Sequence, residues 1–480
     1  MVTQRPRWPL TESVIQVAER AVASRDAGLS AAGSATLRRL RRPLGVAVVG
    51  RVSAGKSTLV NAVLGTAVSP TAGNECTRVV YVFAYGGWTG AMAHPRDPAL
   101  PARPLPFTGS RLSDALPYPA AAIERVDVTL TVPILERATV FDTPGLESTN
   151  RENSAVTERM LGDTMDAAVA ADALLFCVNG PIKEDEETAV RTFRTGRSKV
   201  RMAGGSAVAV LTKADEMGED RRLTLKAAES LAERMSRTHA DIFGGVFPVV
   251  GLLAEAATTG ALRARHAAAL AELAAAWTVD DAGTALQKDV LFYEMPGPVD
   301  TARRRELMAM LGRFGVGELL EVLRTSPRAD AGALTAAARE ASGYDQMERR
   351  LRMTLGSRAD VMKAGAALHE LMDCALVAGD DDVYAAAQQL LDRPEMFPLQ
   401  LLDVSRQLAS GRVTPPPGLA EHAWIAVTVG LSPVRAKEAA AHVAQWRHWA
   451  SLTDTAGRSV ARVMIRAWQL AADAGRRSWR

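Results

Sequence analysis

Cysteine is scarce in this chain of 480 residues. Cys76, Cys177 and Cys374 make an odd count with no CxxC spacing, which supports neither a disulfide framework nor a zinc knuckle and fits a reducing compartment. The seven histidines form no HExxH pattern, and His369-Glu370 lacks a second histidine at the required spacing, so metal catalysis other than with Mg²⁺ is unsupported. No Gly-x-Ser-x-Gly elbow occurs. No segment holds 18 or more uninterrupted apolar residues, and the opening MVTQRPRWPL lacks the apolar core of a signal peptide. The reading is a cytoplasmic protein without a transmembrane segment, which at most lies on a membrane. Neither sign of charge dominates: 57 basic residues face 54 acidic ones, a formal +3, which implies no nucleic-acid partner.

What is present points to a phosphate ligand. Leu44 to Gly50 reads as a short buried strand, followed by the turn Gly50-x-x-x-x-Gly55-Lys56-Ser57 and a helix that ends at Gly65. Gly50 and Gly55 let the backbone wrap a phosphate without Cβ clashes, so that successive N–H groups and the helix N-terminus face the anion. Lys56 reaches the β- and γ-phosphates, and the Ser57 hydroxyl holds Mg²⁺.

Hydrophobic content of 48% suffices for cores, and the length suggests two or three domains. Residues 11–40 read as helical, with Val14, Val17, Ala18, Ala21 and Val22 at helical spacings and Pro43 as the stop. Thr77–Tyr85 reads as a strand, and residues 86–120, rich in Gly and Pro, as an elaborated loop. Further strands are expected at Val126–Val132, Ala138–Phe141, Ala173–Asn179, Ala207–Leu211 and Gly245–Val250, with helices between them. That alternation indicates an α/β fold: a mostly parallel sheet with helices on both faces. Beyond about Gly251 strands disappear. Stripes such as Val361, Ala364, Leu368, Leu371 and Ala375 indicate an α-helical bundle. The expected division is 1–43, helices joining that bundle; 44–257, the nucleotide-binding domain; and 258–480, the bundle.

Three more signals follow in the order a GTP-binding domain needs. Asp142-Thr-Pro-Gly145 ends one strand; its carboxylate can orient Mg²⁺ through water and the Gly145 N–H can meet a γ-phosphate. Thr212-Lys-Ala-Asp215 ends another; Asp215 can accept both N–H donors of guanine's pairing edge, for which adenine has no matching pair, while the Lys213 stem lies along the base. Between the glycine-rich turn and Asp142, Thr77 is placed to close on Mg²⁺ and orient the attacking water.

At these residues the sequence resembles the bacterial dynamin-like GTPases, most nearly the isoniazid-inducible group of actinobacteria. The resemblance rests on GRVSAGKST at 50–58, ECTRVV at 75–80, VFDTPG at 140–145, LTKADEMG at 211–218 and PVVGLLAEAA at 248–257. The stretch SGYDQMERRLRMTLGSRADVMKAGAAL at 342–368 extends it into the helical part. It implies a GTP/GDP site formed by Gly50, Arg51, Ser53, Ala54, Gly55, Lys56, Ser57, Thr58, Asp142, Gly145, Lys213 and Asp215, with Mg²⁺ on Ser57, Thr77 and, through water, Asp142. Ser53, Lys56, Thr77 and Gly145 carry the catalytic roles in that scheme, and Ser53 is also the position implied to help bind a monovalent cation. Val52 departs from the family, which usually places Gln there, so slow hydrolysis or a substitute charge is expected; Arg51 and Arg78 are the candidates beside the alternative that both face solvent.

The resemblance further implies self-association through the GTPase domain, a related dynamin-like partner, and peripheral work at the inner face of the cell membrane. The rival is a soluble regulatory GTPase acting through a partner. For lipid, the candidate is a C-terminal helix with Arg458, Arg462 and Arg466 on one face and Val460, Met464, Ala467, Trp468 and Ala471 opposite; the alternative is a bundle helix with that apolar side buried. A second basic run, Arg191, Arg194, Arg197, Lys199 and Arg201, reads as solvated surface, and His442 and His448 beside Trp446 and Trp449 as bundle packing.

Overall fold

The first strand, β1 (Leu44–Gly50), is buried at every position, as its uninterrupted apolar run requires of a strand covered on both faces. In the computed structural model, which describes residues 9–70, 79–145, 171–195, 207–217, 221–239, 242–355, 359–409, 411–428 and 435–478, it lies in the middle of a nine-stranded sheet. The other strands are β2 (Val80–Tyr85), β3 (Gly90–Pro95), β4 (Arg103–Pro104), β7 (Ile123–Leu130), β8 (Ala138–Asp142), β9 (Ala173–Val178), β10 (Ala207–Thr212) and β11 (Val246–Val249). Their order is β11-β10-β9-β1-β8-β2-β7-β3-β4. From β11 to β8 all neighbours are parallel; β2 runs antiparallel to β8, and the β7-β3-β4 edge is antiparallel.

Residues 86–120 are therefore not simply a loop. They supply β3 and β4 at the sheet edge and a small hairpin of β5 (Phe107–Thr108) and β6 (Arg111–Leu112). Edge and two-residue strands tolerate the Gly and Pro that a central strand would not.

Side chains alternate across β1: Ala47 and Val49 enter one apolar cluster, Val46 and Val48 the other. The second cluster is closed by α3 (Lys56–Leu64). The first is closed by α5 (Arg221–Thr238), α6 (Gly251–Thr258) and the helices after it: α7 (Ala264–Ala276), α8 (Val279–Ala285), α9 (Asp289–Glu294), α10 (Thr301–Thr325) and α11 (Ala331–Ala341). Helix α4 (Glu184–Thr195) follows β9. Helix α12 (Tyr344–Leu355) returns to the sheet: Tyr344, Met347 and Leu351 join the α3-side cluster, Tyr344 Oη donates to the Ala62 carbonyl at 3.2 Å, and Val250 N donates to the Ser342 carbonyl at 2.9 Å.

The N-terminal segment, expected to be helical, forms two helices, α1 (Pro9–Val22) and α2 (Ala27–Arg41). Asp26 caps the second by accepting from Leu29 N at 2.7 Å, and Ser24 Oγ donates to Asp380 Oδ2 at 2.6 Å, so the turn between them is fixed partly from afar. They pack on α13 (Ala359–Ala378) and α14 (Asp381–Leu391), with Ala364, Leu368, Leu371 and Ala375 in the shared core. Asp360 accepts from the N–H groups of Leu10 and Thr11, capping α1 from α13.

The last helices, α15 (Phe397–Ala409), α16 (Pro417–Thr428), α17 (Ala436–Leu452) and α18 (Thr455–Ser478), share a further cluster around Trp446. There Val460, Met464, Ala467, Trp468 and Ala471 are buried, while Arg458, Arg462 and Arg466 are exposed. The C-terminal helix is thus a bundle member with its apolar side covered. His442 stacks on Trp468, with ring centroids 3.9 Å apart, whereas His448 faces solvent rather than the packing. Arg191 is exposed and paired with Glu187 at 2.6 Å; Arg197, Lys199 and Arg201 lie outside the described residues. Among the described residues no helix is long and apolar enough to cross a membrane.

Candidate functional site

Parallel strands bring their carboxyl ends to one edge of the sheet, and β1 lies where the chain switches from its β8 side to its β9 side. That is the crevice where open α/β sheets bind ligands. The turn after β1 is shaped by close backbone approach. Gly50 has φ 156°, and a Cβ there would meet the Cys177 carbonyl oxygen at 2.3 Å. Gly55 caps α3 at φ 73°, and Ser53 adopts the left-handed region at φ 61°, a strained choice for a residue with a side chain. Ala54 is buried, and its carbonyl accepts from Thr212 Oγ1 at 2.8 Å; the same hydroxyl lies 2.9 Å from the Val178 carbonyl, tying the turn to β10 and β9. Thr58 packs beside Gly251 at the start of α6.

Lys56 opens α3 nearly buried, with Nζ donating to the Arg51 carbonyl at 2.9 Å. Burial pushes its pKa down, opposed by the charge of Asp142. Asp142, at the end of β8 and only 4% exposed, is pushed up by burial and pulled back by hydrogen bonds from Ser69 and Ser57 and by the Lys56 charge. Ser69 Oγ donates to it at 2.6 Å. Asn61 on α3 fixes this loop: its Oδ1 accepts from the N–H groups of Val68 and Ser69, and its Nδ2 donates to Glu255 Oε1 at 2.8 Å. Thr143 Oγ1 donates to the Val48 carbonyl at 2.8 Å, and Gly145 comes so near the turn that a Cβ would stand 2.6 Å from Val52 N. A buried cation, a buried carboxylate bonded to a helix-terminal hydroxyl, and backbone with no room for side chains make a cradle that fits a nucleotide phosphate and Mg²⁺.

Of the residues singled out from sequence, Gly50, Arg51, Ser53, Ala54, Gly55, Lys56, Ser57, Thr58, Asp142 and Gly145 meet here. Lys213 and Asp215 follow β10, which β9 separates from β1. Lys213 is left-handed at φ 53°, with Nζ 3.5 Å from Glu216. Asp215 is partly buried, and desolvation raises its pKa. Thr77 and Arg78 lie outside the described residues. Arg51 meets the cradle through its carbonyl, while its side chain turns to α4: Nε donates to the buried Glu186 at 2.8 Å and Nη2 to Asp185, both in the first turn of that helix. Val52 is half exposed.

Sequence reasoning missed Ser69 and Asn61, and named Thr212 only as the start of its motif without the tie that its hydroxyl makes to the turn. The only signal was a polar Asn inside the apolar run of α3. It also missed a cleft of about 870 Å³ beside Asp215, walled on the far side by α8, α9 and α10.

Comparison with known proteins bears on this site directly. Residues 46–179, which hold both the cradle and Asp142, match the sequence profile of the dynamin family. That stretch is similar to the dynamin family. The chain is 31% identical over 288 residues to the isoniazid-induced protein IniC of Mycobacterium tuberculosis, equally in strains CDC 1551 and H37Rv. That alignment takes in 59% of this chain and 57% of IniC, so the chain spans a little over half the length of the curated relatives it matches. One solved structure, of an oligomerised bacterial dynamin pair described as sensing and tethering membranes over long range, aligns with 99% of this chain and 76% of its own. The identity there is 13% and the TM-score 0.34, too loose a likeness to carry detail.

Proposed function

We propose that this protein binds and hydrolyses GTP, and that 44–257 is its nucleotide-binding domain, with 1–43 and 258–480 forming a helical part that nucleotide moves. The observation that supports this most is the meeting of the Gly50–Ser57 turn, Asp142 and Gly145 within the stretch that matches the dynamin family, with Lys213 and Asp215 after β10, one strand beyond β9 at the same end of the sheet. Backbone N–H groups of the turn and the buried Lys56 bind the phosphates; Ser57 and Thr77, with Asp142 through water, would hold Mg²⁺, which would supply neutralisation of phosphate charge. Gly145, seated on Val52, signals the γ-phosphate to the segment after β8, and Asp215 selects guanine. Ser53, already in the left-handed region, is the residue that would help hold a monovalent cation. With Val52 unable to orient water and Arg51 engaged by Glu186, turnover of the isolated protein is slow.

We further propose that GTP pairs two copies through this domain, that a related dynamin-like protein is a partner, and that the setting is the inner face of the cell membrane. The covered apolar side of α18 favours lipid contact through the partner over direct insertion, which gives weight to the second reading, a regulatory GTPase that does not bind lipid itself. One experiment separates these: phosphate release from GTP with and without anionic liposomes, beside Lys56→Ala and ATP, with pelleting read from the same tubes. Lipid-stimulated turnover with pelleting supports direct membrane action, GTP turnover without pelleting supports the partner-borne reading, and turnover of ATP in place of GTP sinks both.

A further inference from the structure

The cleft beside Asp215 is much larger than a turn would leave, and its far wall is α10, outside the strand-bearing part of the chain. That helix is broken where it passes Asp215. Gly312 has φ 65° and ψ 174°, and a Cβ there would stand 3.9 Å from Asp215 Oδ2 and 3.5 Å from Leu252 Cδ1. The next residue, Arg313, lines the same cleft, and its charge lowers the pKa of Asp215 against the effect of burial. Its guanidinium is steadied from the adjoining wall: Nη1 donates to the Gln287 carbonyl at 2.6 Å, and Nε lies 3.5 Å from Asp289 Oδ1. The side chain remains 51% exposed. The other arginine of the cleft, Arg324, sits eleven residues further along the helix, roughly 16 Å at the usual rise. It is tied there to Glu321 and to the Thr278 carbonyl.

A guanine that donates its N1–H and N2–H groups to a carboxylate has two acceptors left, O6 and N7, on its remaining polar edge. A planar guanidinium matches that pair in one plane, the commonest contact by which proteins read guanine, whereas adenine places an N–H₂ donor where O6 would be. Resting on the guanine-nucleotide reading above, we propose that Arg313 is a specificity-determining residue: it donates to O6 and N7 of a guanine held on Asp215. The base pocket is then completed by α10, and the break at Gly312 is what lets the helix pass that close to the carboxylate.

The test is equilibrium binding of GDP and 7-deaza-GDP, in which a C–H replaces N7 and the donor edge is intact, to wild type, Arg313→Ala and Arg313→Lys. Asp215→Asn with GDP and xanthosine diphosphate serves as the control of the underlying reading. Wild type is expected to prefer GDP over 7-deaza-GDP by about tenfold, in keeping with 1–3 kcal/mol for a bidentate contact. Arg313→Ala weakens GDP by about tenfold and binds the two ligands alike; Arg313→Lys falls between. Equal GDP affinity in wild type and Arg313→Ala, or a 7-deaza preference that survives the substitution, overturns the assignment. The guanine reading fails separately, if wild type does not bind GDP or Asp215→Asn does not shift preference to xanthosine diphosphate.

Discussion

Ser69 Oγ donates to Asp142 Oδ2 at 2.6 Å, so the carboxylate beside the phosphate cradle is braced from behind by a loop that itself hangs on Asn61. Burial favours the neutral form of Asp142, and Ser69 is foremost among the groups that oppose this. Ser69→Ala is therefore expected to raise the proton affinity of Asp142, to lower GTP turnover at neutral pH by about tenfold, as for one hydrogen bond to a charged group, and to raise the Mg²⁺ concentration needed for half-maximal rate. Part of the loss returns as pH rises. Phosphate release measured against Mg²⁺ at several pH values checks this, and an unchanged metal dependence would count against it.

Arg51 and Glu186 form a largely buried pair between the cradle and α4. Removing one partner of such a pair leaves the other charge unmatched, so Arg51→Ala should cost about 2–3 kcal/mol in urea unfolding. The double variant Arg51→Met with Glu186→Leu should recover most of that. Turnover should drop far less than the 10³–10⁵ that loss of an arginine finger brings. A loss of that size with unchanged stability would make Arg51 the missing catalytic charge.

Gly145→Ala places a methyl 2.6 Å from Val52 N and 2.7 Å from Val52 Cα, backbone atoms that cannot swing aside. The segment after β8 must then stand off the cradle, a displacement of the order that costs catalysis about 10²-fold. The expected outcome is a drop in turnover of that size, with GDP affinity within about threefold of wild type because the phosphates of GDP do not need Gly145. Single-turnover rates beside GDP titration decide it.

Lys363 of α13 is 1% exposed and donates to the carbonyls of Leu40 and Arg42, the last turn of α2 and the residue after it, just ahead of β1. Burial lowers its pKa to about 8, opposed by Asp172 and Asp360 and reinforced by Arg42 and Arg39. A lysine that gives up its proton more readily folded than unfolded binds fewer protons in the native state between about pH 8 and 10.5. Stability gained from this group therefore rises with pH across that window, and the penalty is fully present below pH 8. Urea midpoints of wild type minus those of Lys363→Met should climb from pH 8 to 10; a flat difference would place the charge in a solvated site.

The parallel centre of the sheet was legible because β1, β9 and β10 are unbroken apolar runs, and β1 and β10 lead directly into residues that the chemistry needs. The edge was not, because β3 and β4 are short, interrupted by Gly and Pro, and stabilised by partners rather than by their own pattern. The turn at Ser24–Asp26 depended on Asp380, 356 residues away, which no local periodicity reports. Within the site the glycine turn and strand-end carboxylates were readable at fixed spacings. Ser69, Thr212 and the Gly312 break act through tertiary contact, and a lone Ser, Thr or Gly in sequence says nothing of what it will touch.

Tyr344 reaches back across 282 residues to the carbonyl of Ala62, while Arg350 donates to the Gly244 carbonyl and Gly343 lies against Pro248. Anyone preparing the nucleotide-binding half alone by stopping at residue 257 would strip these covers from α3 and β11 and lay bare the apolar surface on which Leu270, Phe314 and Met347 rest. A shortened chain that is to stay monomeric and folded in a test tube needs to run at least through Leu355.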